Sequence, residues 1–157
     1  MPADSERGSD AEMLTRVPDI LPAAIGSQHA DAPLWPWSYR VAGALSSWPA
    51  VELYEAGALF DVVVSTGLTA QVLRGCRAVR GTDGGRVLAW GRLPLRGSLP
   101  VVEFSRGTFR RARLAVTPVS VTSWCWLATA DALYDRVTVR HGETAVRYRV
   151  RGSRSRP

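Results

Sequence analysis

At 157 residues, with 22% of them charged, the chain is long enough to bury a sizeable core and too ordinary in charge density to be disordered throughout. Its 20 basic residues outnumber 14 acidic ones for a net charge of +6, and all 20 are arginine. The acidic first twenty residues do not read as a secretory leader, no uncharged run is apolar enough to span a bilayer, and two cysteines make no disulfide framework, so a reduced, cytoplasmic setting without a membrane partner is expected.

The first 33 residues hold six acids against two arginines and few large apolar side chains. They read as a disordered acidic tail with at most a short helix near Ala11–Arg16. A globular domain is expected over 34–152, starting where aromatics concentrate at Leu34-Trp-Pro-Trp37, with a basic tail at 153–157. Ala50–Leu59 places Val51, Tyr54 and Ala58 at helical spacing behind Pro49, which predicts a short helix.

Strand signals follow. Phe60–Val64 is β-branched and stops at Ser-Thr-Gly67, and Val72–Arg80 and Arg86–Leu93 flank the turn cluster Gly81-Thr-Asp-Gly-Gly85. Pro100–Ser105 and Thr108–Val116 flank Arg106-Gly107, a two-residue connection that would set Phe104 opposite Phe109 and Glu103 opposite Arg110. Val119–Leu127 reads as one strand, with Trp124 and Trp126 on one face and Cys125 on the other. Ala130–Tyr134 is a short helical or turn segment leading into a last hairpin. These signals predict a mainly β fold, an antiparallel sandwich or barrel of about seven or eight strands with one short helix. An α+β reading stays open through that helix.

The last hairpin joins Arg136-Val-Thr-Val-Arg140 to Ala145-Val-Arg-Tyr-Arg-Val-Arg151. A Gly142-Glu143 loop, or a four-residue loop from His141 to Thr144, sets Val139 opposite Val146, Val137 opposite Tyr148, Thr138 opposite Arg147 and Arg136 opposite Arg149. One face is then apolar and the other carries Arg136, Arg140, Arg147, Arg149 and Arg151, extended by Arg110, Arg111 and Arg113. An odd slip would mix the two faces. The absence of lysine and asparagine points to a GC-rich coding sequence as one source of so much arginine. Whatever their origin, guanidinium forks suit carboxylate and phosphate.

Other chemistry is sparse. His141 lies at the turn without an evident partner, and Cys76 and Cys125 read as core residues. No Cys-x-x-Cys, histidine pair, Walker loop or Gly-x-Ser-x-Gly elbow occurs, so no metal or cofactor is expected. Arg106-Gly-Thr-Phe-Arg110 resembles the Arg-x-x-x-Arg that opens a PilZ domain, which implies cyclic di-GMP binding, but the second half of that motif, Asp/Asn-x-Ser-x-x-Gly, is missing. The expectation is therefore a non-enzymatic interaction domain whose arginine face meets an acidic protein surface or a nucleic-acid backbone, as an assembly subunit or a homo-oligomer. The alternative is a small-molecule-binding or enzymatic barrel with a pocket lined by Trp90, Trp124 and Trp126. An acidic tail folded over the basic face is a third arrangement.

Overall fold

The computed structural model describes residues 36–43, 48–65, 71–81, 84–93, 98–107 and 112–152, with backbone only for Arg151 and Gly152. The expected tails at 1–33 and 153–157, Arg110 and Arg111 lie outside the described residues. Twelve strands are present among the described residues: β1 (Trp37–Ala42), β2 (Ala50–Glu55), β3 (Ala58–Val64), β4 (Gly75–Gly81), β5 (Gly84–Arg92), β6 (Val101–Arg106), β7 (Ala112–Val116), β8 (Val119–Thr122), β9 (Cys125–Ala130), β10 (Arg136–His141), β11 (Thr144–Arg149) and β12 (Arg151–Gly152). They form three sheets, ordered β1-β2-β3, β12-β4-β5-β9-β8 and β11-β10-β6-β7. All pairings are antiparallel except β12 with β4. The fold is thus the mainly antiparallel β fold that the turn spacing predicts.

The five-stranded sheet is the middle layer. On one side Leu88, Trp90, Cys125 and Leu127 pack with Trp37, Val51, Leu53 and Val63 of the β1-β2-β3 sheet. On the other, Val87, Ala89, Trp126, Ala128 and Ala130 pack with Val102, Phe104, Val137 and Val139 of the four-stranded sheet. Burial on both faces explains why β5 and β9 read as nearly continuous apolar runs, Val87-Leu-Ala-Trp90 and Cys125-Trp-Leu-Ala128, whereas outer strands such as β2 and β10 alternate. Backbone packing is close here. A Cβ added to Gly91 would lie 1.9 Å from the carbonyl oxygen of Val72, the same oxygen that accepts the Trp126 Nε1–H at 2.9 Å.

Residues 50–59 are not helical. Val51 and Leu53 point inward while Glu52 and Tyr54 point outward, a period of 2, and Ala56-Gly57 turns the chain with φ of 49° and 81°. Positive φ at both positions is the signature of a tight hairpin turn, and Gly57 supplies one of them without strain. The helical spacing of Val51, Tyr54 and Ala58 is coincidental. Of the segment expected to be helical or turn, Ala130 ends β9 and Asp131–Ala132 form a bend, and no helix occurs among the described residues.

Val119–Leu127 is a hairpin and not one strand, because Ser123-Trp124 makes a turn, and with Val119↔Leu127 and Ser120↔Trp126 paired, β8 runs back along β9. Trp124 therefore packs on the Cys125 side and Trp126 on the other. The β6–β7 connection is also longer than two residues: Phe104 faces Leu114 and Glu103 faces Ala115, in place of Phe109 and Arg110. The two-residue loop would have set Val102 against Arg111. The longer one sets it against Val116 and keeps the inner face apolar.

A bulge in β3 fixes one further joint between layers. Leu53 pairs with Asp61 and Tyr54 with Leu59, so Phe60 is skipped and both Phe60 and Asp61 reach the middle sheet. The Phe60 ring meets Trp90 edge-on at 5.4 Å, and Trp90 Nε1–H donates to Asp61 Oδ2 at 2.7 Å. Arg74 donates to the same carboxylate through Nε and Nη2, at 2.8 and 2.9 Å. Burial pushes the Asp61 carboxyl up, but the Arg74 fork with the Trp90 and Val62 N–H groups outweighs it and holds the group below the usual aspartate range.

Candidate functional site: a cationic sheet face

The final hairpin has the register read from the sequence: Arg136↔Arg149, Val137↔Tyr148, Thr138↔Arg147 and Val139↔Val146. Gly142, at φ 57°, takes the first central position of the two-residue turn before Glu143. Val137 and Val139 are fully buried against the middle layer, and the alternate residues of β10 face out.

β6 and β7 extend this outward face. Through the ladders, Arg149, Arg136, Ser105 and Arg113 form one row across four strands. Arg147, Thr138, Glu103 and Ala115 form the next, and Arg140 and Val101 pair in the third. Strands lie about 4.8 Å apart and alternate residues about 6.8 Å apart along a strand, so five guanidinium groups share a patch roughly 14 Å on a side. Thr138 faces outward between Arg147 and Glu103 in the ladder, yet is only 6% exposed.

Charge on this face is one-sided. Glu103 is its single described carboxylate, and it reaches Arg113 only at 3.8 Å, with the Arg113 side chain 53% exposed. Among the described residues Arg136, Arg140, Arg147 and Arg149 have no carboxylate partner. Arg140, Arg147 and Arg149 are exposed and Arg136 is half-buried. The arrangement offers several planar forks to an anionic surface.

Arg151 does not join them. β10 has no residue beyond Arg136 to pair with, and Asp135 begins a bend whose carbonyl accepts the Val150 N–H at 2.9 Å. The chain then crosses to the open edge of β4, where Arg151 pairs with Arg77 in parallel. The face thus comprises Arg113, Arg136, Arg140, Arg147 and Arg149.

The other sequence candidates fall elsewhere. His141 ends β10 opposite Thr144, and its Nε2 is buried without a hydrogen-bond partner among the described residues. Cys76 Sγ–H points at the Arg149 carbonyl oxygen, 3.7 Å away, and burial pushes its thiol up to about 11. Burial pushes Cys125 up to about 12, so both thiols stay protonated at neutral pH. Trp90 and Trp126 lie on opposite sides of the middle sheet and Trp124 sits at a turn, so the three do not line one pocket. No group of three or more His, Cys, Asp or Glu among the described residues is placed to hold a metal ion, and no helix there is long and apolar enough to cross a membrane.

Fold and site define a three-layer antiparallel β protein with one cationic outer sheet face. Compared with known proteins, the chain matches no family model, no curated sequence and no solved structure.

Proposed function

We propose that this chain is an interaction module that docks an acidic partner on the outer face of its four-stranded sheet. The observation that carries the reading is the cross-strand register, which gathers Arg113, Arg136, Arg140, Arg147 and Arg149 around one carboxylate, Glu103. Guanidinium forks spaced by a sheet ladder fit carboxylate or phosphate groups bidentately, and the buried Val137 and Val139 anchor the central strand that carries them. Long-range attraction from such a patch also raises the encounter rate with a polyanion.

The test is binding of the protein to single- and double-stranded DNA, to RNA and to polyglutamate, each titrated with salt. Occupation of about four phosphates gives a log–log salt slope near −3 to −4. Tight binding to nucleic acids with little to polyglutamate assigns a phosphate backbone as partner, and the reverse assigns an acidic protein. Salt-insensitive binding, or none to any of the four, overturns the reading.

A further inference from the structure

A cleft of about 380 Å³ opens where the middle and four-stranded sheets part, at the far end from the hairpin turn. Its apolar lining comes from Ala78 on β4, Leu133 on the β9–β10 link and Val150, beside the ring of Tyr134. Arg80 at the end of β4 and Arg106 at the end of β6 line it as well, and both are exposed. Among the described residues neither has a carboxylate partner.

Asp135 also lines the cleft. Its Oδ2 accepts the Gly107 N–H at 3.4 Å, and its Oδ1 is shut off from solvent with no hydrogen-bond partner among the described residues. A molecule entering the cleft meets two guanidinium groups, the Asp135 carboxyl group and an apolar wall. Two like charges at one opening, with a single carboxylate behind them, leave one positive charge to neutralise, which suits a monoanion better than a dianion. The volume is that of a small-ligand site, at the lower end of the usual range of roughly 300–1,000 Å³.

We propose that this cleft binds a small amphipathic monoanion, its acyl or aryl body lying over Leu133, Val150 and Tyr134 and its carboxylate or sulfonate between Arg80 and Arg106. The site is separate from the outer arginine face. Arg106 shares the inward side of β6 with Val102 and Phe104, whereas Glu103 and Ser105 point outward.

The probe is 8-anilinonaphthalene-1-sulfonate, followed by fluorescence titration, with octanoate and octanol as competitors. Octanoate should displace it and octanol should not, and the affinity of R80A/R106A should fall at least 10-fold while that of R40A, on the opposite outer sheet, stays unchanged. Amide shift mapping of wild-type protein with octanoate gives a readout that needs no variant. The shifts should centre on Gly107, Leu133, Tyr134 and Val150. Equal affinity of R80A/R106A, displacement by octanol as strong as by octanoate, or shifts centred on the outer face would each overturn the proposal.

Discussion

The two outermost sheet faces of this molecule are built alike and charged differently. Both alternate apolar residues inward and long polar residues outward, and both rest on the same doubly buried middle sheet. On the β1-β2-β3 face the charges cancel: Arg40 Nε–H donates to Glu52 Oε2 at 2.7 Å, and Tyr54 O–H donates to the same oxygen. The Arg40 and Tyr54 donors hold the Glu52 carboxyl below its usual range, and that same Glu52 contact holds the Tyr54 hydroxyl above its own. On the four-stranded face five arginines share one glutamate. The lesson is that a period of 2 describes packing alone. Only the balance of charge at the outward positions separates the two faces.

That comparison breaks most completely if the shared layer fails. Trp126→Ala removes a fully buried ring and the bond to the Val72 carbonyl, and should cost about 3–5 kcal/mol. Denaturant unfolding followed by circular dichroism and by tryptophan fluorescence should show both probes shifting together. A shift in one alone would mean that the outer sheets do not depend on a common middle.

A smaller and more selective effect comes from Asp61→Asn. The wild-type carboxyl has a lowered folded-state pKa, so its contribution is present above the ordinary aspartate range and is lost as pH falls through the folded value. The substitution should cost about 2 kcal/mol at neutral pH, through the charge-assisted bonds from Arg74 and Trp90. It should also flatten the acid limb of a stability-against-pH curve. In the same variant Cys125, at the β1-β2-β3 interface, should be alkylated faster, with Cys76 on the other side unchanged. Equal acceleration at both thiols would show that the staple does not serve one layer alone.

The smallest effect is expected at Ala56, a non-glycine residue at φ 49°. Ala56→Gly removes that strain and should stabilise the protein by about 0.5–1 kcal/mol in denaturant melts, with anion binding unchanged.

Legibility in the sequence followed the range of the contacts. The β10–β11 hairpin is local, and parity together with a turn glycine was enough to read its register. The β6–β7 register was misread because loop length was taken from Arg106-Gly107, while the real constraint was to keep Val102 and Phe104 opposite Val116 and Leu114. The false helix at 50–59 arose because three apolar residues at helical spacing outweighed the strict alternation of Val51, Glu52, Leu53 and Tyr54. Arg113 pairs with Ser105 on the outward side of the sheet, in a different register from the one a two-residue loop predicts. The backbone of Arg151 pairs with β4 instead of continuing the hairpin, and nothing local in the sequence shows that a strand will leave its hairpin for that edge. The Asp61–Arg74–Trp90 staple and the Arg80–Arg106 cleft join residues far apart in the chain, and no spacing rule brings them together.

The most direct test of the central claim compares the two outer faces in one assay. Binding of a heparin oligosaccharide at low salt should weaken at least 10-fold in R147A/R149A and stay within twofold of wild type in R40A, with the stability of both variants within about 0.5 kcal/mol of wild type. Equal losses on the two faces, or no loss in R147A/R149A, would contradict the assignment of the four-stranded sheet as the docking surface.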